Sequence, residues 1–218
     1  MNQVINKDAV FPQVDGRDYV QGVTILEHMA KAVLELAGTD SCNISRVKFT
    51  KRTLLDGNIK AQLGATDLPV AGSGATSNGE VDGVPFLAAF FPDDARKVSW
   101  QTTSPPYPYS GLDITAPYCC SAEVNCSDGP EFLWTLIEIN KQSIARSLKR
   151  SQQKARIEFV EATDFIYHEQ DMVAPGNVNI VNVGLREFGS RLYVLNEANY
   201  RDASGTPQQL RLQYTVEI

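Results

Sequence analysis

The sequence predicts an α+β protein in which two long helices are each followed by several antiparallel strands. Two observations lead to this prediction. Apolar residues recur every three or four positions in two long segments, and much of the remaining chain alternates between apolar and polar residues, as half-buried strands do. Glycine, asparagine and aspartate separate the alternating segments, as expected at turns. Because the order of strand, helix and several strands occurs twice, we predict two related units.

The first predicted helix runs from about Val20 to Ala37 and ends at Gly38, a residue that favours helix ends. Counted from Gly22, one of its apolar rows contains the carboxylate of Glu27. An isolated carboxylate is costly to bury unless it is hydrogen-bonded or held neutral. Glu27 is therefore predicted to be a site residue, and a position at the edge of the buried face is the alternative.

The segment after this helix is predicted to form two strands, Ile44 to Leu55 and Ile59 to Leu63, joined by a turn at Asp56-Gly57. The stretch from Ala71 to Gly79 is rich in glycine and serine, and we predict a flexible loop there. It lacks the lysine and the Ser/Thr that a phosphate-binding loop needs, which argues against nucleotide binding.

The second predicted helix begins near Pro130, which suits a first helical turn, and runs to about Arg150. Asn140 interrupts its apolar row and is predicted to orient a substrate or a water molecule. The alternative is a buried asparagine that is satisfied by backbone groups. Glu138 is predicted to face solvent.

Four further alternating segments are predicted as strands, at residues 155–162, 177–184, 191–195 and 210–218. The proline-rich stretch 102–111 is predicted to be an extended linker. The predicted domains are therefore a first unit at 1–101, the linker at 102–111 and a second unit at 112–218.

The composition limits the classes of function. A formal net charge of −6 argues against general nucleic-acid binding, and no apolar run is long enough for a membrane helix. The N-terminal residues lack the pattern of a secretory signal, so we expect a cytoplasmic protein with its four cysteines reduced. Neither of the two histidines has a partner at metal-ligand spacing, and we predict no metal and no cofactor.

Residues 13 to 63 resemble the β-hydroxyacyl-carrier-protein dehydratases, which have the hotdog fold. In that family a His-Phe-Pro-Gly-Arg-Pro-like turn leads through a Pro-Gly pair into a central helix, which carries the catalytic acid five residues after the second Gly. Gly16-Arg17 and Gly22-Val23 fit this spacing, and Glu27 falls on the acidic position. The resemblance implies a double hotdog, with each helix wrapped by an antiparallel sheet.

One position departs from the family pattern. Gln13 stands where the family has its catalytic histidine, and a glutamine amide does not act as a general base. We expect Gln13 and Tyr19 to hold the substrate carbonyl instead. The backbone amides of Gly22 and Val23, at the positive end of the helix, are predicted to bind the developing oxyanion.

Two histidines complete the predicted site. A shifted alignment would use His28 in place of Gln13, but adjacent helical residues point about 100° apart, so His28 is predicted to be partly exposed beside Glu27. His168 lies in a predicted strand or bend. In a paired hotdog such a residue can face the cleft of the other unit, and His168 is predicted to contribute there.

The resemblance implies an enzyme that acts on an acyl chain held as a thioester on a carrier protein or coenzyme A, in polyketide or fatty-acid-like biosynthesis. Dehydratase-like elimination with Glu27 as acid or base is the first expectation. Thioester hydrolysis, decarboxylation or acyl transfer, and a non-catalytic acyl-binding role are the alternatives, and a homodimer is left open. An acidic carrier protein or a phosphate would be received by basic residues that follow the two helices: Arg46, Lys48, Lys51, Arg52, Lys149, Arg150, Lys154 and Arg156.

Overall fold

The structure is a computed structural model of the chain, and it describes ten stretches of the 218 residues. These are residues 3–11, 13–14, 22–50, 55–64, 67–98, 101–102, 108–126, 129–149, 155–169 and 176–217. At 13–14, 101–102 and 129–130 only the backbone is described. Of the predicted site, Tyr19 and the Gly16-Arg17 turn lie outside these stretches.

The chain divides into two compact units, which are described separately below. The first unit comprises Met1–Pro106 and Ile166–Glu169, and the second comprises Tyr107–Phe165 and Gln170–Ile218. The predicted domain bounds put residues 112–218 entirely in the second unit, whereas Ile166–Glu169 belong to the first unit. This division places His168 in the same unit as Glu27 and His28.

The first unit contains one helix and a five-stranded antiparallel sheet, in the order β1-β4-β6-β5-β3. Two short strands, β2 and β7, pair in parallel with each other. The elements are β1 (Gln3–Ala9), β2 (Gln13–Val14), α1 (Gly22–Ala37), β3 (Ser41–Phe49), β4 (Leu55–Leu63), β5 (Ala75–Val81), β6 (Val84–Lys97) and β7 (Gln101–Thr102).

Helix α1 packs its apolar side against all five strands of this sheet. Met29 and Val33 are fully buried, as their spacing on the predicted apolar rows requires. The helix ends where the sequence predicts, because Gly38 adopts a positive φ of 71° and its N–H donates to the Leu34 carbonyl at 2.8 Å.

The turn predicted at Asp56-Gly57 is wrong, because both residues lie inside β4. Asp56 is buried, and its carboxylate accepts a hydrogen bond of 2.8 Å from the backbone N–H of Phe11. Gly57 lies where a Cβ would overlap the backbone carbonyl oxygen of Phe91 on the neighbouring strand. Asp56 therefore accepts a hydrogen bond from the backbone, Gly57 allows β4 to lie close to its neighbouring strand, and the pair does not form a hairpin turn.

The flexible loop predicted from Ala71 to Gly79 is only partly correct, since β5 begins at Ala75. Gly79 faces the backbone of Asn43 on β3, and a Cβ at Gly79 would overlap the Asn43 carbonyl oxygen. The glycine that suggested a loop thus permits close pairing of two strands.

The second unit also has one helix and an antiparallel sheet, in the order β10-β13-β12-β11-β9-β8. The last residues of β10 belong to the first unit, as noted above. The elements are β8 (Tyr109–Ala116), β9 (Cys119–Val124), α2 (Gly129–Ser147), β10 (Ile157–His168), β11 (Gly176–Phe188), β12 (Arg191–Arg201) and β13 (Pro207–Glu217). Strand β8 includes the last three residues of the stretch predicted as a linker.

Helix α2 buries Phe132, Leu136 and Ile139 against the sheet, and the Phe132 ring lies 4.7 Å from that of Tyr200 on β12. Each unit is therefore one long helix packed on antiparallel strands. The predicted α+β class is confirmed.

Candidate functional site

Glu27 lies on the second turn of α1, where it is half-buried and paired rather than isolated. Its Oε1 is 2.7 Å from the Nζ of Lys31, and the exposed fractions of the two side chains are 21% and 44%. The pair has the i,i+4 spacing that lets side chains meet on a helix. Lys31 is not among the residues that the sequence predicted for the site, and its pairing makes the Glu27 carboxylate less costly to bury than an isolated one.

A second carboxylate approaches the same lysine. Oε1 of Glu169 is 4.0 Å from the Nζ of Lys31. The N–H of Glu169 donates to the carbonyl of Asp40 at 3.1 Å, which fixes the end of β10 beside the residues that follow α1. Lys31 therefore lies between two carboxylates that are far apart in the sequence, and nothing in the local pattern predicted this arrangement.

His28 is half-buried next to Glu27, and its ring is held from two sides. Its Nδ1 is 2.9 Å from the Thr24 carbonyl oxygen, so Nδ1 carries a hydrogen and Nε2 of the neutral ring keeps its lone pair. The Phe11 ring packs edge-on against the imidazole at 4.9 Å. Asp56, which binds the Phe11 backbone, supports this contact.

The beginning of α1 lies beneath an aromatic ring. A Cβ at Gly22 would be 3.1 Å from Cζ of Phe49, so the ring covers the place where a side chain would project. The Val23 side chain is buried. Gly22, Val23, Glu27 and His28 thus share the first two turns of one helix, as the sequence predicts.

The other predicted residues of the first unit are not brought into this group by any described contact. Gln13 lies in β2, and its side chain, like the whole of Tyr19, is outside the described residues. His168 is half-buried at the end of β10, and strand alternation places it on the opposite face from the fully buried Tyr167. No described hydrogen bond or ion pair joins His168 to Glu27 or Lys31.

Asn140 of α2 belongs to a chain of asparagine side chains in the second unit. Asn196 Nδ2 donates to Asn140 Oδ1 at 2.6 Å and to the Tyr118 carbonyl at 3.2 Å. Asn182 Nδ2 in turn donates to Asn196 Oδ1 at 2.9 Å. Asn140 is fully buried, and its Nδ2 has no hydrogen-bond partner among the described residues. The Asn196 amide thus satisfies the side-chain oxygen of Asn140, and among the described residues the Asn140 NH₂ group remains available as a donor.

Glu138 of α2 is buried, so the prediction that it faces solvent is wrong. Gln142 Nε2 donates to Glu138 Oε1 at 3.2 Å. Burial, followed by the nearby Glu138 carboxylate, raises the pKa of Tyr109 and raises that of Tyr214 well above its usual value. The polar spacing of Thr135, Glu138 and Gln142 along one helix face is the sequence signal that could have revealed this group.

The described stretches of the chain lack a metal-binding cluster and a membrane-spanning helix. They contain no group of three or more His, Cys, Asp or Glu side chains that could hold a metal ion. The helices that they include are not long and apolar enough to cross a membrane.

Comparisons with known proteins identify the fold. No family model matches the chain, and a search of curated proteins found no match either. Solved structures with the hotdog fold do match it, and the chain therefore has the hotdog fold, which polyketide dehydratase domains also have.

Three of these structures span nearly the whole chain at low sequence identity. The dehydratase domain of the polyketide PpsC from Mycobacterium tuberculosis is 12% identical with a TM-score of 0.53, covering 99% of this chain and 93% of that one. The dehydratase domain of RzxB from Pseudomonas fluorescens is 10% identical with a TM-score of 0.54, covering 94% and 88%. A bifunctional dehydratase-cyclase domain in ambruticin biosynthesis is 13% identical with a TM-score of 0.50, covering 99% and 90%. At these identities the likeness establishes the fold.

Proposed function

We propose that this chain is an enzyme that acts on an acyl chain held as a thioester on a carrier protein or coenzyme A, and that it catalyses a dehydratase-like elimination. The observation that carries the proposal is the ion-paired Glu27 carboxylate on the second turn of α1. There it lies close to the helix N-terminus, and because the first N–H groups of a helix have no partner within the helix, they suit a developing oxyanion. The dehydratase domains that share the fold support this class of substrate.

In the proposed reaction, the thioester carbonyl accepts hydrogen bonds from the amides of Gly22 and Val23. Glu27, which is a carboxylate in its pair with Lys31, takes a proton from the carbon next to the carbonyl. The electrons of that C–H bond form the double bond as the bond to the β-hydroxyl breaks. The proton passes to the leaving oxygen, which departs as water. Gln13 and Tyr19 keep their predicted role of positioning the carbonyl.

His28 is the second proton-transfer group that we propose. The hydrogen bond from Nδ1 to the Thr24 carbonyl fixes the tautomer, so that the lone pair is on Nε2. The edge-on contact with Phe11 fixes the plane of the ring. His28 can therefore receive a proton at a defined atom, which the glutamine at position 13 cannot do.

Glu138 offers an alternative acid or base for the same reaction in the second unit. It is the buried carboxylate of α2, it is hydrogen-bonded by Gln142, and it lies near the phenols of Tyr109 and Tyr214. Phenol hydroxyl groups are protonated at neutral pH, so both can donate hydrogen bonds to a substrate oxygen. The turnover rates of Glu27→Gln and Glu138→Gln show which of the two carboxylates acts in the reaction.

The test is intact-mass analysis of carrier-protein thioesters, in β-hydroxyacyl and malonyl forms, after incubation with the protein. We expect the β-hydroxyacyl form to lose one water with the wild type, and Glu27→Gln to lower the rate by about 100-fold or more because the amide does not accept the proton. Glu35→Gln is the matched control, since Glu35 is an exposed residue of the same helix and is paired with Lys7. It should retain wild-type turnover.

Other outcomes would contradict this proposal in different ways. Loss of carbon dioxide from the malonyl form would indicate decarboxylation, and release of the whole acyl group would indicate hydrolysis or transfer. Acyl binding without turnover by the wild type or any variant would indicate a binding protein. A rate equal to that of the wild type in Glu27→Gln, together with a lost rate in Glu138→Gln, would move the chemistry to the second unit.

A further inference from the structure

The sheet of the second unit carries a pocket on the face that points away from α2. The pocket has a volume of about 590 Å³, and Arg186, Tyr193, Leu195 and Gln213 are among its lining residues. Leu195 is paired with Gln213, and Arg186 with Tyr193, so these side chains share one face. Their neighbour Asn196 bonds to Asn140 of α2, and alternation along β12 therefore directs Leu195 and Tyr193 away from the helix.

The walls of this pocket are apolar and unusually exposed. Phe188 is 72% exposed and Leu185 is 51% exposed, and both line the pocket. Of the eight large apolar residues that are exposed in the described stretches, four lie in β11. Grouped exposure of this kind marks a place where a ligand or a partner excludes water.

Among the described residues that line the pocket, Arg186 is the one with a charged side chain. No ion pair joins it to another residue in the described part of the chain. In contrast, Arg211 of the same sheet has Glu197 at 3.4 Å, and Arg156 has Glu217 at 2.8 Å. An unpaired guanidinium between apolar walls is the complement of a carboxylate at the end of an apolar chain.

Gly184 leaves the floor of the pocket open. It follows a shift of register between β11 and β12, and it is paired with Leu195. A Cβ at this position would lie 3.4 Å from the Leu195 Cβ, so any larger side chain would cover the apolar surface of Leu195. The volume lies within the range of pockets that bind small molecules.

We propose that this pocket binds an amphiphilic carboxylate, namely a free acyl chain whose carboxylate pairs with Arg186 while the hydrocarbon chain lies against Phe188, Tyr193 and Leu195. Charge complementarity selects this occupant, because the described lining residues offer one cation and no anion. The site does not include Glu27 or Glu138, and the inference does not rest on the proposed enzymatic function.

The test compares two probes, decanoate below its micelle-forming concentration and decanol, by titration calorimetry on the full chain. We expect Arg186→Gln to weaken decanoate binding by about tenfold and to leave decanol binding unchanged, because only decanoate carries the charge. Phe188→Ala should weaken both probes by similar factors. Arg201→Gln, which removes an exposed arginine at the end of β12 that does not line the pocket, is the matched control and should bind like the wild type.

Amide chemical shifts locate the site, and those of Gly184, Leu195 and Gln213 should change on addition of decanoate. Equal decanoate affinity in wild type and Arg186→Gln would overturn the proposal, as would shift changes confined to other residues. Absence of decanoate binding, combined with a dimer in sedimentation that Phe188→Ala abolishes, would also overturn it and would assign this face to a second copy of the chain.

Discussion

At the scale of single residues, Asn196 connects the helix of the second unit to its sheet. It donates to both Asn140 and the Tyr118 carbonyl, and it accepts from Asn182. Asn196 is fully buried, so water does not replace these bonds when the amide is removed. The stability of α2 on its sheet should therefore depend on this one side chain.

We predict that Asn196→Ala lowers the free energy of unfolding by about 2–4 kcal/mol, because it leaves buried hydrogen-bonding groups without partners. The measurement is the urea midpoint of unfolding. Asn199→Ala is the matched control on the same strand, where the amide accepts a 3.4 Å hydrogen bond from Gln209 at the surface and has no other partner among the described side chains. It should change the stability by less than about 0.5 kcal/mol. Equal losses in the two variants would contradict the proposed role of Asn196.

The candidate site was predictable from the sequence only where it depends on local spacing. Glu27 and His28 follow from helical geometry, and the Lys31 pair could have been read from the i,i+4 rule. The approach of Glu169 depends on a distant strand end, and the burial of Glu138 depends on which side of α2 meets the sheet. The first property is not encoded in the neighbouring residues, and the second is indicated there only by the polar spacing of Thr135, Glu138 and Gln142.

At the scale of elements, glycines set how closely the strands of the first unit approach each other. Gly57 on β4 faces the Phe91 carbonyl of β6 without room for a side chain. Gly74, just before β5, has its nearest neighbours at 3.4 and 3.5 Å, which is ordinary contact for a methyl group. Comparing alanine variants at these two positions therefore distinguishes the cost of a steric clash from the general cost of replacing a glycine.

We predict that Gly57→Ala destabilises the protein by about 3 kcal/mol, because a backbone carbonyl must move to accept the methyl group. Gly74→Ala should change the free energy of unfolding by less than about 1 kcal/mol. Thermal unfolding of the two variants checks this expectation. A Gly57→Ala variant as stable as Gly74→Ala would mean that β4 and β6 do not pack as described.

The elements themselves were predicted unevenly. The helices were found within a few residues, since a period near 3.6 over many residues is difficult to mistake. Strand β5 and part of β4 were missed because glycine, serine and aspartate normally indicate turns. In these strands the glycines allow close strand pairing and Asp56 binds a backbone N–H. These roles can be recognised only when the partner strand is known.

At the scale of the whole molecule, several buried acids favour their neutral forms in the folded state. Burial raises the pKa of Cys42 to about 12 and that of Cys120 to about 11. Burial also raises the pKa values of Tyr109, Tyr200 and Tyr214. These groups are distributed over both units, so their effect is a property of the entire fold.

We predict that stability falls on the alkaline side. A raised folded pKa contributes stability that is complete below the unfolded pKa, about 9 for the thiols and 10 for the phenols. That contribution is lost as the pH rises from there toward the folded pKa. The urea midpoint should therefore decrease steadily above about pH 9. A midpoint that stays constant from neutral pH to strongly alkaline pH would contradict the burial of these groups.

Proton transfer by Glu27 at the carbon next to a thioester carbonyl is tested most directly with a substrate that carries deuterium at that carbon. A β-hydroxyacyl carrier thioester with two deuterium atoms there would be incubated with the wild type, Glu27→Gln and Glu35→Gln, and the deuterium that remains would be measured by mass spectrometry. We expect the wild type and Glu35→Gln to remove one deuterium together with the hydroxyl group, and Glu27→Gln to leave both deuterium atoms in place. Equal removal by Glu27→Gln, or no removal by the wild type, would contradict the claim.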